Sequence, residues 1–385
     1  MRVALVLENF DPRAGGLEKW TASLAAFLLG RGHEVHVLAF GQANHTLPIE
    51  MTILPATSGI WQRAEAAATA LRDLSVDVVH DTGVGWSGDV YHPQTGSRLL
   101  SQARLIATQP LIGRLRAAIS PVSIRWRRHM AQLERRQIRD ASMIVAVSRL
   151  VRSRLCAQHG LREDQLTVIP NGVETARFAS DQLDPLRQEA RARLGAGDSV
   201  LFLASAFNMH LKGVDTAIRA LGVLTSAGAD ARLVVAGARA DDKWHRLAAD
   251  RGVKDRVAFL GPVDDMIPLF AAADALVHAT RWDACSLSTI EGQAAGIPVI
   301  TTATNGAAEL IADGITGYVL PDPEDMVALS ARMRALLDPI ARRGIGEAAR
   351  KAAAAYDLNI NLAAVEQVLL DGAAIRARKE RLARI

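Results

Sequence analysis

The sequence predicts an α/β protein of two Rossmann-like domains, each a doubly wound parallel sheet, facing one another across a cleft. Three observations predict it. The chain has 385 residues, too many for one ordinary core, and domains of roughly 150–200 residues give two. Short apolar runs of strand type alternate with helical stretches from the first residue onward, the pattern of parallel sheets covered on both faces. That alternation breaks near residue 170 and then begins again.

Val3–Leu7 is a short, branched, buried-type strand, and Asp11 to Gly16 ends it. Leu17 to Leu29 has helical spacing, with Trp20, Leu24, Phe27 and Leu28 on one face. Gly30 and Gly32 close that helix, and Val35–Ala39, Val76–His80 and Met143–Val147 continue the strands. Near Val168 a further strand runs into Pro170, Asn171 and Gly172, a turn signal. Residues 174–198 are polar, with Pro185 in their middle, and read as the hinge region. A second series then follows, with strands Ser199–Ala204, Arg232–Ala236, Val257–Leu260, Ala275–His278 and Pro298–Thr301. No short period repeats, so a solenoid is not expected. The expected division is 1–170, 171–355, and a terminal helix in 356–385 returning to the first domain. Ligands of doubly wound sheets bind at the carboxyl ends of the strands, so the active site is expected between the domains.

Composition narrows the class. Hydrophobic residues make up 49% and charged residues 22%, as in a folded globular protein. A net charge of +4 and a pI near 9.3 favour anionic partners such as phosphates, nucleotides or acidic lipids, or simply keep the chain soluble. Two cysteines, Cys156 and Cys285, make no disulfide framework and fit a reducing compartment. The opening apolar run ends at Glu8, too short for a signal peptide. No uncharged apolar run reaches the ~18–20 residues that span a bilayer. The expectation is a cytoplasmic protein, or one held peripherally on the cytoplasmic face of the inner membrane.

Residues 98–140 stand apart. Ten arginines lie between Arg98 and Arg139, with Glu134 the single acid, interleaved with Leu99, Leu100, Leu105, Ile106, Leu111, Ile112, Leu115 and Ile119. Basic residues alternating with an apolar face suit an anionic membrane surface. A solvated basic face over core helices, or a contact with a phosphorylated acceptor, fits the same residues. The tail Arg376–Arg384 reads as a solvated end, and no nucleic-acid partner is expected.

The most informative stretch is RWDACSLSTIEGQAAGIPVITT, residues 281–302. Asp283 lies in a loop after a strand. Ser286 can cap a helix starting near Leu287. Glu291 falls one turn into it, and Gly296–Pro298 stops it. First-turn amides lack internal partners and carry partial positive charge, so a diphosphate can dock on the amides of residues 286–288. Acids on either side of an anion site make sense if they grip hydroxyls: Glu291 a ribose, Asp283 a sugar beyond the phosphates. In FNMHLKGVDTAI, residues 207–218, Lys212 at a helix start can neutralise diphosphate charge. Gly15–Gly16, after the first strand, let backbone approach a ligand.

An acid, seven residues, Glu, a small-residue run and G-I-P-V-I resemble the E-x7-E signature of retaining GT-B glycosyltransferases of family 4. TTATNGAAELI, with Asn305, Gly306 and Glu309, and DGITGYVLPDPED resemble the loops that follow it in that family. Gly15, Gly16 and Glu18 resemble its GG-x-E start, whose glycines face the donor phosphates or acceptor. The likeness is nearest to lipopolysaccharide-core heptose glucosyltransferases; it spans nearly the whole chain and is specific in 199–325. It implies a GT-B fold, with an acceptor-binding first domain and a donor-binding second one. Glu291 then holds the nucleotide ribose and Asp283, here in place of Glu, the donor sugar. Ala284, Cys285, Ser286, Leu287 and Ser288 form the donor-binding segment, and Lys212 contacts the diphosphate. The family's neighbouring arginine is replaced by His210. His92, in DVYHPQTGS, falls where members often place a histidine near the transferred sugar, and a structural histidine fits as well.

The implied activity is that of a retaining hexosyltransferase carrying glucose from UDP-glucose to a lipopolysaccharide-core or other lipid-linked glycan. Lys212, Asp283 and His92 are its candidate catalytic residues. No Asp-x-Asp motif stands in a suitable loop, so neither metal nor cofactor is expected, the nucleotide sugar being a substrate. A nucleotide-sugar epimerase of GT-B fold, or a catalytically silent sugar-nucleotide binder, are the alternatives.

Overall fold

The structure, a computed structural model, describes residues 1–12, 15–41, 46–55, 57, 59–109 and 111–383. The chain divides into two compact units, Met1–Pro170 with Asn359–Ile385, and Asn171–Leu358.

The first unit holds β1 (Arg2–Leu7), α1 (Gly16–Gly30), β2 (Glu34–Ala39), β3 (Glu50–Ile53), α2 (Ile60–Arg72), β4 (Val78–Asp81), β5 (Val90–Tyr91), α3 (Arg98–Ala107), α4 (Leu111–Ile119), α5 (Pro121–Asp140), β6 (Met143–Ala146), α6 (Arg149–His159) and β7 (Leu166–Val168). Its seven strands are parallel, in the order β3-β2-β1-β4-β5-β6-β7. β1 is an interior strand, between β2 and β4, and buries Val3 to Leu7 completely. A central parallel strand has helices on both faces, so its sequence is a continuous apolar run rather than an alternating one. β3 was not visible as a strand in the sequence. β5 is two residues long, too short for any period.

The second unit holds α7 (Ser180–Arg193), β8 (Val200–Ala206), α8 (Val214–Ser226), β9 (Ala231–Gly237), α9 (Asp242–Asp250), β10 (Val257–Gly261), α10 (Ile267–Ala272), β11 (Ala275–His278), α11 (Leu287–Ala294), β12 (Val299–Thr302), β13 (Tyr318–Leu320), α12 (Met326–Ala335) and α13 (Pro339–Ala353). Its six parallel strands run β10-β9-β8-β11-β12-β13. The core combines Phe202, Leu221, Leu233, Val277 and Ile300 with Leu329 and Met333 of α12.

Residues 174–198 are not a hinge strip. They belong to the second unit and form one 3-10 turn, Thr175–Phe178, and then α7 with Pro185 inside it. Their polarity has a local use. Arg187 and Arg191 both pair with Asp274, at 2.6 and 3.0 Å, and donate to carbonyls of 271–273, the end of α10. Basic groups on the last carbonyls of a helix satisfy orphan acceptors.

The last helix, α14 (Leu358–Ala383), packs on the first unit. Asn361 accepts from the Trp20 indole at 2.7 Å, Glu366 meets His33 at 2.8 Å, and Arg376 meets Asp89 at 3.0 Å. A Cβ on Gly372 would lie 3.1 Å from Val90, which shows how closely the helix backbone approaches β5. Among the described residues, α14 is the one helix long and apolar enough to cross a membrane; here Leu362, Val365, Val368 and Leu369 are buried against protein.

Candidate active site

In a doubly wound sheet the strand order reverses at one point, and ligands bind beside it at the carboxyl ends. In the second unit that point lies between β8 and β11. The loop after β8 carries Lys212, and the loop after β11 carries Asp283. Lys212 Nζ stands 2.5 Å from Asp283 Oδ2, and His278 Nε2 stands 3.3 Å from the same oxygen. His278 is the last residue of β11 and is 2% exposed; its Nδ1 is buried with no partner among the described residues. Burial acts to raise the Asp283 pKa, but Lys212 and His278 outweigh it and hold the carboxyl well below the usual range. His278 shifts the other way: burial lowers its pKa and Asp283 offsets that only in part, so the ring is neutral at neutral pH.

The two loops meet because Gly213 lets them. Its φ is +67°, and a Cβ there would lie 1.9 Å from the Ala279 carbonyl oxygen. Leu211 O accepts from Thr280 Oγ1 at 3.0 Å and from Arg281 N at 2.8 Å, tying the loops together. Arg281 grips Asp215 through two nitrogens at 2.9 and 3.0 Å, pairs with Glu324, and donates to the His210 carbonyl. This guanidinium is therefore committed to bracing the loops. His210 packs against Trp244, with ring centroids 4.7 Å apart and the planes tilted by 48°. Burial, with Lys243 and Arg281 nearby, lowers its pKa despite Asp215 and Asp241, so His210 does not restore a fixed positive charge.

α11 starts beside Asp283. Ser286 caps it, accepting from Thr289 N at 3.3 Å. The amides of Leu287 and Ser288 have no carbonyl a turn earlier to receive them. The segment is held from three sides: Asn171 Nδ2 donates to Cys285 O at 2.9 Å, Ser286 N donates to Asn305 Oδ1 at 3.2 Å, and Asp283 N donates to Thr304 O at 3.1 Å. Ala284, Cys285 and Ser286 are buried, so they offer backbone rather than side chain. Burial pushes the Cys285 thiol up to about 12, which makes it inert. Glu291 is half-buried, on the same face of α11 as Leu287 one turn on.

Gly15, Gly16 and His92 belong to the first unit. Gly15 precedes α1 with no side-chain cap, and Glu18 folds back over it; Arg13 and Ala14 lie outside the described residues. His92, just after β5, is fully buried. It bonds His80 at 3.1 Å and Gln94 at 3.1 Å, with the Trp20 ring edge-on at 5.3 Å. Burial and the neighbouring His80 keep it neutral.

Sequence reasoning thus named both members of the ion pair but missed their third partner, His278. The available signal was a histidine ending an otherwise apolar strand, ALVH. Arg281 and Asn305 were also missed in these roles. Their partners lie 66 and 43 residues away for Arg281, and 19 for Asn305, and no local pattern points to them.

Two tandem doubly wound units of this topology make a GT-B fold, the architecture of many sugar transferases. The chain matches the sequence profile of "Glycosyltransferase Family 4" over residues 14–177 and that of "Glycosyl transferases group 1" over 187–352. It is 28% identical to D-inositol 3-phosphate glycosyltransferase of Acidothermus cellulolyticus, covering 88% of this chain and 83% of that one. It is 33% identical to lipopolysaccharide glucosyltransferase WaaG of Escherichia coli over 51% of this chain and 53% of that protein. The crystal structure of WaaG superposes with a TM-score of 0.80 and 26% identity, covering 95% and 99% of the two chains. Anabaena Alr3699/HepE, solved in complex with UDP-glucose, superposes with a TM-score of 0.72 at 18% identity over 96% and 100%, a likeness of fold. The chain belongs to the GT-B glycosyltransferases of family 4, group 1.

Proposed function

We propose that this glycosyltransferase moves glucose from UDP-glucose to a lipopolysaccharide-core or other lipid-linked glycan, with retention and without a metal. The observation that supports a donor site in the second unit is the meeting of Lys212, Asp283 and the start of α11 at the β8/β11 switch point. Lys212 and the Leu287 and Ser288 amides would receive the diphosphate, whose leaving negative charge they stabilise. Glu291 would hold the ribose and Asp283 the sugar. The likeness to WaaG of Escherichia coli, a lipopolysaccharide glucosyltransferase, supports the choice of donor and acceptor. A thermal-shift series with UDP-glucose, GDP-mannose and ADP-glucose tests it, since a ligand of the folded state raises the melting temperature. A shift with UDP-glucose alone is the expected result, and one confined to another nucleotide rejects the donor. Lys212→Ala should lower turnover at least as much as donor affinity, because the charge develops in the transition state; unchanged turnover rejects its role. Donor incubated without acceptor should return no epimer.

The acceptor is proposed to be reached at an anionic membrane surface on the cytoplasmic side. α4 buries no residue, and Leu111, Ile112, Leu115 and Ile119 are 56–74% exposed, with Val122 beside them. Arg114, Arg116, Arg125, Arg127 and Arg128 lie on the same stretch. Apolar residues ringed by arginine suit acidic lipid headgroups. Flotation with anionic liposomes that weakens with salt supports this; equal flotation with neutral liposomes rejects the electrostatic part.

A further inference from the structure

The cluster at the switch point has a property that the roles above do not use. Lys212 and Asp283 form a closed pair of net zero charge, and His278, bonded to the same Asp283 oxygen, is neutral. A sugar nucleotide brings two negative charges on its diphosphate. We propose that His278 takes up a proton from solvent when the donor binds, so that the site gains its second positive charge only with the ligand. This rests on the donor assignment just made.

Facing a carboxylate, His278 Nε2 is the nitrogen that carries the hydrogen in the resting state. Nδ1 is then a bare lone pair, buried and unpartnered. Protonation lands there and creates a buried donor with nothing among the described residues to accept it, which disfavours the charged ring. An empty site therefore keeps the ring neutral. The two negative charges that arrive with the diphosphate favour the imidazolium and offset that cost.

The charged groups facing His278 are Asp283, from the loop that follows its own strand, and Lys212, from the loop after β8. Its register partner in β12, Thr301, is uncharged. Lys212 opposes protonation while Asp283 favours it. As the diphosphate draws on the Lys212 charge, the balance tips toward the proton. His278 is a positioning residue here: it acts through Asp283, holding that carboxylate in place as Lys212 turns to the phosphates.

The linkage has a fixed sign. A complex that binds more protons than the free protein loses affinity as pH rises, by up to tenfold per pH unit between the pKa of the free protein and that of the complex. The test is calorimetry of the full chain with UDP-glucose, and with GDP-mannose as second probe, in two buffers of different ionisation enthalpy. Neither probe's diphosphate diester titrates between pH 6 and 8, so buffer-dependent heat reports protein protons. The expected result is uptake approaching one proton at pH 7, and affinity falling between pH 6.5 and 8. His278→Asn, which still donates a hydrogen bond, should abolish the uptake; His210→Asn should keep it. Binding with no buffer dependence in the unaltered protein overturns the inference and leaves the donor site standing. Uptake that survives in His278→Asn, or vanishes in His210→Asn alone, overturns it too. No binding of either probe, nor of ADP-glucose, removes the donor site and the inference with it.

Discussion

Gly213→Ala isolates the contact that brings the two site loops together. Two costs add. A non-glycine residue in the left-handed region, here φ +67°, costs about 1–2 kcal/mol. The new Cβ would also sit 1.9 Å from the Ala279 oxygen, so the 207–213 loop must retreat by about 1.5 Å to reach ordinary contact. That retreat stretches the bonds to Leu211 O from Thr280 and Arg281, at about 1 kcal/mol each. The sum is roughly 3–4 kcal/mol, or roughly 6–16 °C in melting temperature for a unit of this size. The same movement carries Lys212 away from Asp283, and a 1 Å misplacement of a reacting group costs about 100-fold in rate. Gly195→Ala is the control: its φ is +58°, with nothing within 4 Å of the added Cβ. It should lose only the backbone part and leave turnover alone. Differential scanning fluorimetry and a coupled assay of nucleotide release measure both effects. If the two variants melt together and Gly213→Ala transfers sugar at the normal rate, the close approach is not what positions Lys212.

Glu291→Ala should weaken UDP binding by about 1–3 kcal/mol, the cost of a lost buried polar contact, and an unaltered calorimetric affinity rejects the ribose role. Asp283→Asn should bind UDP at least several-fold tighter while turnover drops, because Lys212 is no longer neutralised by its partner; weaker UDP binding would contradict that charge balance. The His80–His92 pair makes the first unit acid-sensitive. Burial lowers the His80 pKa from 6.5 to about 4, so the unfolded chain binds that proton more readily. Its contribution is complete above pH 6.5 and is lost as pH falls toward 4, by on the order of 3 kcal/mol in all. Urea midpoints at pH 7.5, 6 and 5 should fall accordingly, and His80→Gln should flatten the trend; a wild-type midpoint independent of pH refutes a neutral buried pair.

The strands that position the site were legible because burial on both faces leaves a mark that needs no context. Val3–Leu7 and the strand ending at His278 read as strands from composition alone. Helix starts were legible for a similar reason: capping and termination are local chemistry, so Ser286 and Gly296–Pro298 bracket α11 in the sequence as in the structure. What stayed hidden depends on partners distant in sequence. α7 read as a polar strip because the use of Arg187 and Arg191 lies at Asp274, more than 80 residues on. The committed state of Arg281 is invisible without Asp215 and Glu324. His92 could be aligned to a ligand position from its neighbours in sequence, but its burial against His80 and Trp20 is a tertiary fact.

The replacement of an arginine by His210 acquires a physical meaning from these partners. Arg281, the guanidinium nearest that loop by bonding, spends its nitrogens on Asp215, Glu324 and the His210 carbonyl, so it holds shape rather than ligand charge. His210 is kept neutral by burial and by Lys243 and Arg281. The α11 terminus contributes about half a charge. Lys212 is balanced at rest by Asp283, and both Lys212 and His278 bond its Oδ2, while Oδ1 takes neither bond. One carboxylate can thus keep its nitrogen donors on one oxygen and receive a sugar hydroxyl on the other. An aspartate, shorter than glutamate, suits this division because it stays within reach of the strand end that carries His278. On these terms the site is neutral when empty and becomes positive only when a diphosphate asks for it.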